Sequence, residues 1–65
     1  MNNLQTKRES RNFSQAELAR RSGVKQSVIC FIEQGKTKHP RLDTARALAK
    51  ALRCKLDDLF PPERS

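Results

Sequence analysis

The sequence has no long run of apolar residues, and it contains little glycine, proline or cysteine. Its 65 residues include two glycines, three prolines and two cysteines. A membrane-spanning helix needs about 20 apolar residues in a row, so we predict no membrane segment. The polar start of the chain, with Asn2 and Asn3, does not resemble a secretory signal. The length suits one domain, which we place at residues 1–65 with a short tail at 61–65.

The residues that could bind a metal are few and scattered. Cys30 and Cys54 lie far apart without a CxxC spacing, and His39 is the only histidine. Because zinc requires clustered ligands, we expect no metal, and nothing indicates another cofactor. We interpret both thiols as reduced, small and partly buried in a cytoplasmic protein. A disulfide between them remains compatible with the sequence.

Patterns of catalytic sites and of β-structure are also missing. The sequence has no nucleophile–base pair, no carboxylate dyad and no glycine-rich phosphate loop, so we expect that the protein is not an enzyme. No stretch alternates β-branched with polar residues, so we expect no sheet. No linker or internal repeat is present, which leaves no room for a separate domain that binds a small-molecule effector.

Positive charge, in contrast, is abundant. Fourteen Lys and Arg against seven Asp and Glu give a formal net charge of +7. So large a charge on so small a body favours polyanionic partners, chiefly nucleic acid, through attraction and counterion release. The alternative is that the charge only keeps the protein soluble. The positions of the charges must decide between these two interpretations.

Capping signals mark the boundary between the first and second predicted helices. Asn12 can end the first helix, since asparagine tolerates left-handed backbone geometry. Ser14 and Glu17 have the spacing of a capping box, in which each side chain binds the backbone N–H of the other residue. Phe13 and Leu18 have the spacing of a hydrophobic staple across the same cap. Both signals predict that the second helix begins here.

Glycines and prolines end the remaining helices. Gly23 and Gly35 stand where a left-handed residue ends the second and third helices. Only residues 23–25 separate these two helices, and so short a turn brings them together at a steep angle. The predicted helices cover residues 3–11, the segment between Ser14 and Gly23, and residues 26–34, 42–52 and 56–60.

Apolar residues recur at helical spacing in the third and fourth predicted helices. Such stripes face a core, and the remaining side chains point elsewhere. In the third helix the stripe is Val28, Ile29 and Ile32. In the fourth helix it is Ala45, Leu48, Ala49 and Leu52. Outside the stripe of the third helix lie Gln26, Ser27, Cys30, Phe31 and Gln34.

Residues 14–35 combine a Gln-x-x-Leu-Ala run, a glycine turn and an Ile-x-x-Ile-Glu-x-Gly helix. Together with the loop at 36–40 and the Leu-Asp-Asp-Leu-Phe ending at 56–60, they resemble the lambda-repressor-like, or Cro/CI-type (XRE), family. The resemblance covers nearly the whole chain. It implies an all-α fold of five helices with a helix-turn-helix at helices 2 and 3, and a homodimer on a roughly palindromic DNA operator.

In this family the start of the third helix reads base edges in the major groove. Gln26 stands there, and its amide suits N6 and N7 of adenine; the alternative is a solvated residue at a helix start. Ser27 follows as a second base-reading candidate. Phe31 departs from the long polar side chain that the family often carries. It either presses on a thymine methyl or folds against Val28 and the loop to extend the core.

Two further roles come from the resemblance. Gln15 opens the second helix, whose N-terminus favours a phosphate; it is expected to touch the DNA backbone and to brace Gln26, unless it is a plain surface residue. Arg8 and Glu33 match a family ion pair that joins helix 1 to the recognition helix. Such a pair adds little net stability, but breaking it is costly.

A basic loop follows the recognition helix. We expect Lys36, Lys38 and Arg41 to contact phosphates, with Thr37 adding a hydroxyl or backbone contact and His39 lying among them. Arg41 resembles a residue that leans toward the minor groove in relatives. The alternative is a solvated charged loop. Phosphate contacts of this kind position a protein on DNA without reading its sequence.

The resulting functional prediction is a sequence-specific transcriptional regulator that binds double-stranded DNA, acts as a repressor and is nucleoid-associated when bound. The alternative is an antitoxin-like protein-interaction module that regulates its own operon. The apolar ending Leu59, Phe60 and Pro61 either forms the two-fold contact of a dimer or closes the monomer core. Arg53 stands where the family often has glycine, which weakens the predicted stop after helix 4.

Overall fold

The computed structural model describes residues 2–37 and 40–61, and these residues form five helices and no strand. The helices are α1 (Leu4–Ser10), α2 (Gln15–Ser22), α3 (Gln26–Glu33), α4 (Leu42–Ala51) and α5 (Leu56–Leu59). The predicted all-α fold of five helices is therefore confirmed. None of these helices is long and apolar enough to span a lipid bilayer.

Four of the predicted helices extend one residue too far. Their last predicted residues are C-caps, which flank a helix: Arg11, Gln34, Leu52 and Phe60. A C-cap continues the side-chain periodicity of the helix, but it is only half inside the hydrogen-bonded structure. The backbone N–H groups of Gln34, Leu52 and Phe60 still donate to the carbonyl four residues earlier, so each of these C-caps closes the last turn of its helix.

One apolar stripe from each helix contributes to a shared core. Seven large side chains are buried almost completely: Leu4, Leu18, Ile29, Ile32, Leu48, Leu52 and Leu59. The stripes predicted for α3 and α4 are buried as expected, except that Val28 is only half-buried. Burying one such side chain contributes about 1.5–3 kcal/mol, so this small cluster is the main source of stability.

The end of the described chain closes this core. Leu59 is buried and Phe60 packs against the cluster from its edge, whereas Pro61 is exposed. The backbone N–H of Asn3 donates to the carbonyl of Leu59 at 2.8 Å, and its side-chain amide donates to the carbonyl of Asp58 at 2.9 Å. Of the two uses predicted for the apolar ending, closing the monomer core is the one that these contacts support.

The start of α2 contains one half of the predicted capping box. Ser14 Oγ accepts a hydrogen bond from the backbone N–H of Glu17 at 3.0 Å. The reciprocal bond is replaced, because the Glu17 carboxylate accepts from Arg20 and Arg21 instead. Two guanidinium groups are stronger donors to a carboxylate than one backbone N–H. Their hydrogen bonds hold the pKa of the Glu17 carboxyl below its ordinary value.

Four helices end at a residue with left-handed backbone geometry. Gly23 and Gly35 end α2 and α3 with φ of 76° and 79°, as predicted, and Asn12 follows α1 with φ of 59°. The fourth is Arg53, at φ 54°. After α4, Arg53 N–H donates to Lys50 O and Cys54 N–H donates to Ala49 O, which is the Schellman pattern. The helix stop is therefore well formed even though an arginine occupies the usual place of glycine.

We expect Arg53→Gly to stabilise the protein by about 0.5–1 kcal/mol. Glycine removes the left-handed strain, which costs a residue with a Cβ about 1–2 kcal/mol. This gain exceeds the loss of about 0.4–1 kcal/mol that arises because glycine increases the conformational entropy of the unfolded chain. Denaturant unfolding measures the change. The matched control is Arg46→Gly inside α4, which should destabilise by about 1 kcal/mol. If both variants lost the same free energy of unfolding, the backbone at Arg53 would be unstrained.

An ion pair joins α1 to the end of α3. Arg8 Nε lies 2.6 Å from Glu33 Oε2 and its Nη2 lies 3.1 Å from Oε1, so the pair is bidentate. The third nitrogen, Nη1, donates to the carbonyl of Phe13 at 2.7 Å. Only 11% of the Arg8 side chain and 5% of the Glu33 side chain are exposed. The hydrogen bond to Glu33 raises the pKa of Arg8 further above its ordinary value.

We predict that Glu33→Ala destabilises the domain by about 3 kcal/mol or more, since it leaves the Arg8 guanidinium largely buried beside no carboxylate. A domain of this size has a free energy of unfolding of only about 3–10 kcal/mol, so the variant should be partly unfolded. Thermal unfolding followed by circular dichroism tests this. Glu9→Ala, on the exposed side of α1, is the control, and an unchanged melting temperature in Glu33→Ala would refute the structural role.

Candidate nucleic-acid interface

The turn between α2 and α3 fixes where the third helix begins. Gly23 reverses the chain in left-handed geometry, and the backbone N–H of Val24 donates to Ser22 Oγ at 3.2 Å. Val24 packs against the core, and Lys25 is the N-cap of α3 in an extended conformation. The first turn of α3 therefore leaves the body of the protein at a point that is held by both packing and hydrogen bonds.

The third helix has one buried face and one exposed face. Ile29 and Ile32 are fully buried, whereas Gln26 and Ser27 are exposed at its first turn. This is the arrangement that an element needs in order to enter a groove, because its base-reading side chains must be free of the core. The positions of both residues agree with the sequence-based prediction, and their contacts with bases remain predictions.

Phe31 lies on the exposed side of α3. Its side chain is 47% exposed, and it is not among the residues that pack against the core. The ammonium of Lys36 lies 5.7 Å from the centroid of its ring, a cation–π contact. The alternative in which Phe31 extends the core is therefore wrong. An aromatic ring next to a Lys ammonium offers an apolar contact and a phosphate contact side by side.

Gln15 bonds to a different partner from the one predicted. Its side-chain amide Nε2 donates to Glu33 Oε1 at 3.0 Å, so the residue that it braces is Glu33 and not Gln26. The sequence-based prediction named only Gln26 at the start of α3, because nothing in the sequence shows which end of α3 lies beside Gln15 in the fold. Since a carboxylate only accepts, the amide must turn its NH2 toward Glu33. One N–H and the carbonyl oxygen of the amide remain for other contacts.

The basic loop is described in part. Lys36 and Arg41 are exposed, and Thr37 is half-buried with its backbone N–H donating to the carbonyl of Phe31 at 3.3 Å. Arg41 directly precedes α4 as its N-cap. The predicted phosphate contact of Lys38 and its neighbour His39 lie outside the described residues. The structure therefore places Lys36 beside Phe31 at the end of α3 and Arg41 at the start of α4.

Two exposed residues on these elements were missed by the sequence analysis. Lys25 is exposed directly before Gln26, and its position in the turn was the available signal. Leu42 is 52% exposed next to Arg41. No pattern in the sequence indicates this exposure, because a leucine at the start of a helix is compatible with either face.

The two cysteines are free and half-buried, in agreement with the sequence-based interpretation. The side-chain amide of Gln34 donates to Cys30 Sγ at 3.1 Å. Burial raises the pKa of the Cys54 thiol above its ordinary value. Among residues 2–37 and 40–61 there is no group of three or more His, Cys, Asp or Glu that could hold a metal ion.

Comparisons with known proteins agree with this geometry. Residues 4–59 match the family model described as helix-turn-helix. Two curated relatives, both described as uncharacterised HTH-type transcriptional regulators, come from Archaeoglobus fulgidus. One is 41% identical over 49 residues, which are 75% of this chain and 68% of the relative. The other is 38% identical over 47 residues, which are 72% of this chain and 66% of the relative.

The chain thus spans about two thirds of the length of each relative. The matched residues 4–59 contain all five helices, with the turn of Gly23 between α2 and α3 inside them. The structure and the family match therefore lead to one conclusion: the chain belongs to the helix-turn-helix family, in the Cro/CI-type group that its sequence resembles.

Proposed function

We propose that the protein regulates transcription by sequence-specific binding to double-stranded DNA, with the first turn of α3 in the major groove. The observation that carries this proposal is the exposure of Gln26 and Ser27 at the start of a helix whose other face is buried. The exposed cations Lys25 and Lys36 flank this helix at its two ends. The relatives described as HTH-type transcriptional regulators support the same role.

Each exposed group has a role that suits its chemistry. The side-chain amide of Gln26 donates from Nε2 to N7 of adenine and accepts at Oε1 from the N6 amino group, and Ser27 bonds to a neighbouring base edge. Phe31 presses on a thymine methyl. Lys36 and Gln15 contact phosphates, which positions the helix but reads no sequence. The loop contacts of Thr37, Lys38 and Arg41 belong to the same group.

We further propose that the protein acts as a homodimer and represses by occupying a promoter, without catalysis. A single recognition helix reads only a few base pairs, whereas two copies read a two-fold site with half-sites roughly 34–36 Å apart. The longest dimension of the described chain is 34 Å, so two copies placed end to end along it would have their centres about that far apart. A protein that acts in this way works in the cytoplasm, on the nucleoid.

The antitoxin-like interaction module is the second hypothesis from the sequence, and no contact in the described residues favours it. Selection of bound sites from random duplex DNA separates the two. Recovery of a two-fold motif with half-sites one helical turn apart is the result expected for a dimeric regulator. Failure to enrich any motif, together with tight binding to a protein partner, would favour the interaction module.

We predict that Gln26→Ala and Lys36→Ala weaken DNA binding in different ways. Gln26→Ala should cost about 1–3 kcal/mol on the selected site and relax the preference at one base pair. Lys36→Ala should weaken all sequences alike and reduce the slope of log K against log salt by about 1. Fluorescence anisotropy with selected and scrambled duplexes at several salt concentrations measures both effects. Gln5→Ala, on exposed α1, serves as the control and should change neither.

The opposite pattern would overturn the proposed orientation. If Gln26→Ala weakened the selected and the scrambled duplex equally, Gln26 would be a backbone contact and another residue would read the bases. If Lys36→Ala altered the preferred sequence, the end of α3 rather than its start would lie against base edges.

A further inference from the structure

A second concentration of positive charge lies away from the proposed DNA surface. An open cleft of about 480 Å³ is bounded by the end of α1, the turn after α4 and the start of α5. Its rim carries four cationic groups against one carboxylate, which leaves a net charge of +3. These residues are Lys7, Arg11, Arg53, Lys55 and Asp58.

The cations of this rim are available to a ligand. In the described part of the chain, all ion pairs are formed by other residues, namely Arg8, Arg20 and Arg21 with Glu33 and Glu17. Two of the rim cations are guanidinium groups, which bind phosphate in a bidentate manner, and two are ammonium groups, which act as point charges.

The interior of the cleft is less polar than its rim. Leu52 is 2% exposed and Cys54 is half-buried against the core, and both line the cleft. Burial raises the pKa of the Cys54 thiol, the charges of Lys7 and Arg11 lower it, and the charge of Asp58 raises it, so all three charged groups lie near this thiol. A ligand in the cleft therefore meets a cationic rim and the partly exposed side chain of Cys54, whereas Leu52 offers it almost no surface.

A residue with strained backbone geometry lies in this cleft. Arg53 holds left-handed geometry, which costs an arginine about 1–2 kcal/mol and costs glycine almost nothing. Strained residues of this kind cluster at functional sites. The carbonyls of Ala49 and Lys50 at the end of α4 accept hydrogen bonds from Cys54 and Arg53, so neither faces the cleft unbonded. A ligand-binding guanidinium explains why an arginine stands there.

The cleft is separate from the proposed DNA surface. Arg41 directly precedes α4 and Arg53 follows its C-cap, so the two basic regions lie at opposite ends of this helix. A helix of 10 residues is about 15 Å long. The cleft is therefore a second basic region, at the end of α4 that lies opposite Arg41.

We propose that this cleft binds a small organic phosphate, with a di- or polyphosphate group on the four cations and its organic portion beside Cys54. A compact group with several negative charges matches the net charge of +3 better than a single carboxylate does. The volume lies within the range of about 300–1,000 Å³ that is usual for small-molecule sites. This site is additional to the DNA-binding role and does not depend on it.

The test is an amide NMR titration of the whole chain with inorganic pyrophosphate and adenosine 5′-diphosphate, with adenosine as the uncharged control. We expect both phosphate ligands to cause saturable chemical-shift changes of the amides at residues 7–11 and 52–58. Adenosine 5′-diphosphate should bind more tightly than pyrophosphate, and adenosine should cause no shifts. Lys7→Gln should weaken binding about tenfold, the effect of one lost charge-assisted hydrogen bond. Arg46→Gln removes the same charge from an exposed position in α4 outside the cleft, and it should change binding by less than about twofold.

Arg53→Gly provides a second test, because this variant should remain folded while losing one of the cations that bind the phosphate. This variant should melt at a higher temperature than the original protein without ligand, but adenosine 5′-diphosphate should raise its melting temperature much less. The proposal would be overturned by shifts confined to residues 14–17 and 25–37, because these would indicate anion binding elsewhere. It would also be overturned by shifts that do not saturate, or by equal weakening of binding in Lys7→Gln and Arg46→Gln, because these would indicate attraction by net charge alone.

Discussion

The carboxylate of Glu33 is the contact on which the arrangement of the first three helices depends. It accepts two hydrogen bonds from Arg8 of α1 and one from Gln15 of α2 while standing on the last turn of α3. Apolar packing alone is non-directional. A bidentate guanidinium–carboxylate pair, in contrast, fixes both distance and angle. The end of α3 is thereby held against α1 and α2, and the start of α3 is left to face outward.

This contact also ties stability to DNA recognition. Gln15, the residue expected to touch a phosphate, has its amide orientation set by Glu33, because only the NH2 group of the amide can face a carboxylate. The phosphate contact and the recognition helix are therefore positioned by the same group. Arg8 completes the arrangement by donating its remaining nitrogen to the carbonyl of Phe13, directly before the cap of α2.

Local signals explain why much of the fold could be predicted from the sequence. Ser14, Gly23 and Gly35 act through backbone geometry within a few residues, and each one marks a helix boundary at the predicted place. The buried stripes follow from helical spacing alone. The Arg8–Glu33 pair is different, because its partners are 25 residues apart and no local rule joins them. Only the family resemblance pointed to it before the structure did.

The features that could not be predicted are those in which a side chain has several possible hydrogen-bond partners and the fold determines which one it contacts. Glu17 has a backbone N–H and two arginines within reach, and the stronger donors win. Gln15 reaches Glu33 and not Gln26 because of how α2 crosses α3, which no spacing in the sequence encodes. The cleft is of the same kind, since Lys7 and Arg53 lie far apart in the chain and meet only after folding.

Two cationic regions on one small domain raise the question of whether they act on each other through charge. Across the length of α4, about 15 Å, two unit charges in water interact by about 0.3 kcal/mol before screening. The Debye length of about 8 Å at physiological salt reduces that energy to a small fraction of thermal energy. Charge alone therefore does not link an anion in the cleft to DNA at α3. A link has to pass through packed residues, and α1 offers such a path because it carries both a cleft residue, Lys7, and Arg8, which forms the ion pair with Glu33.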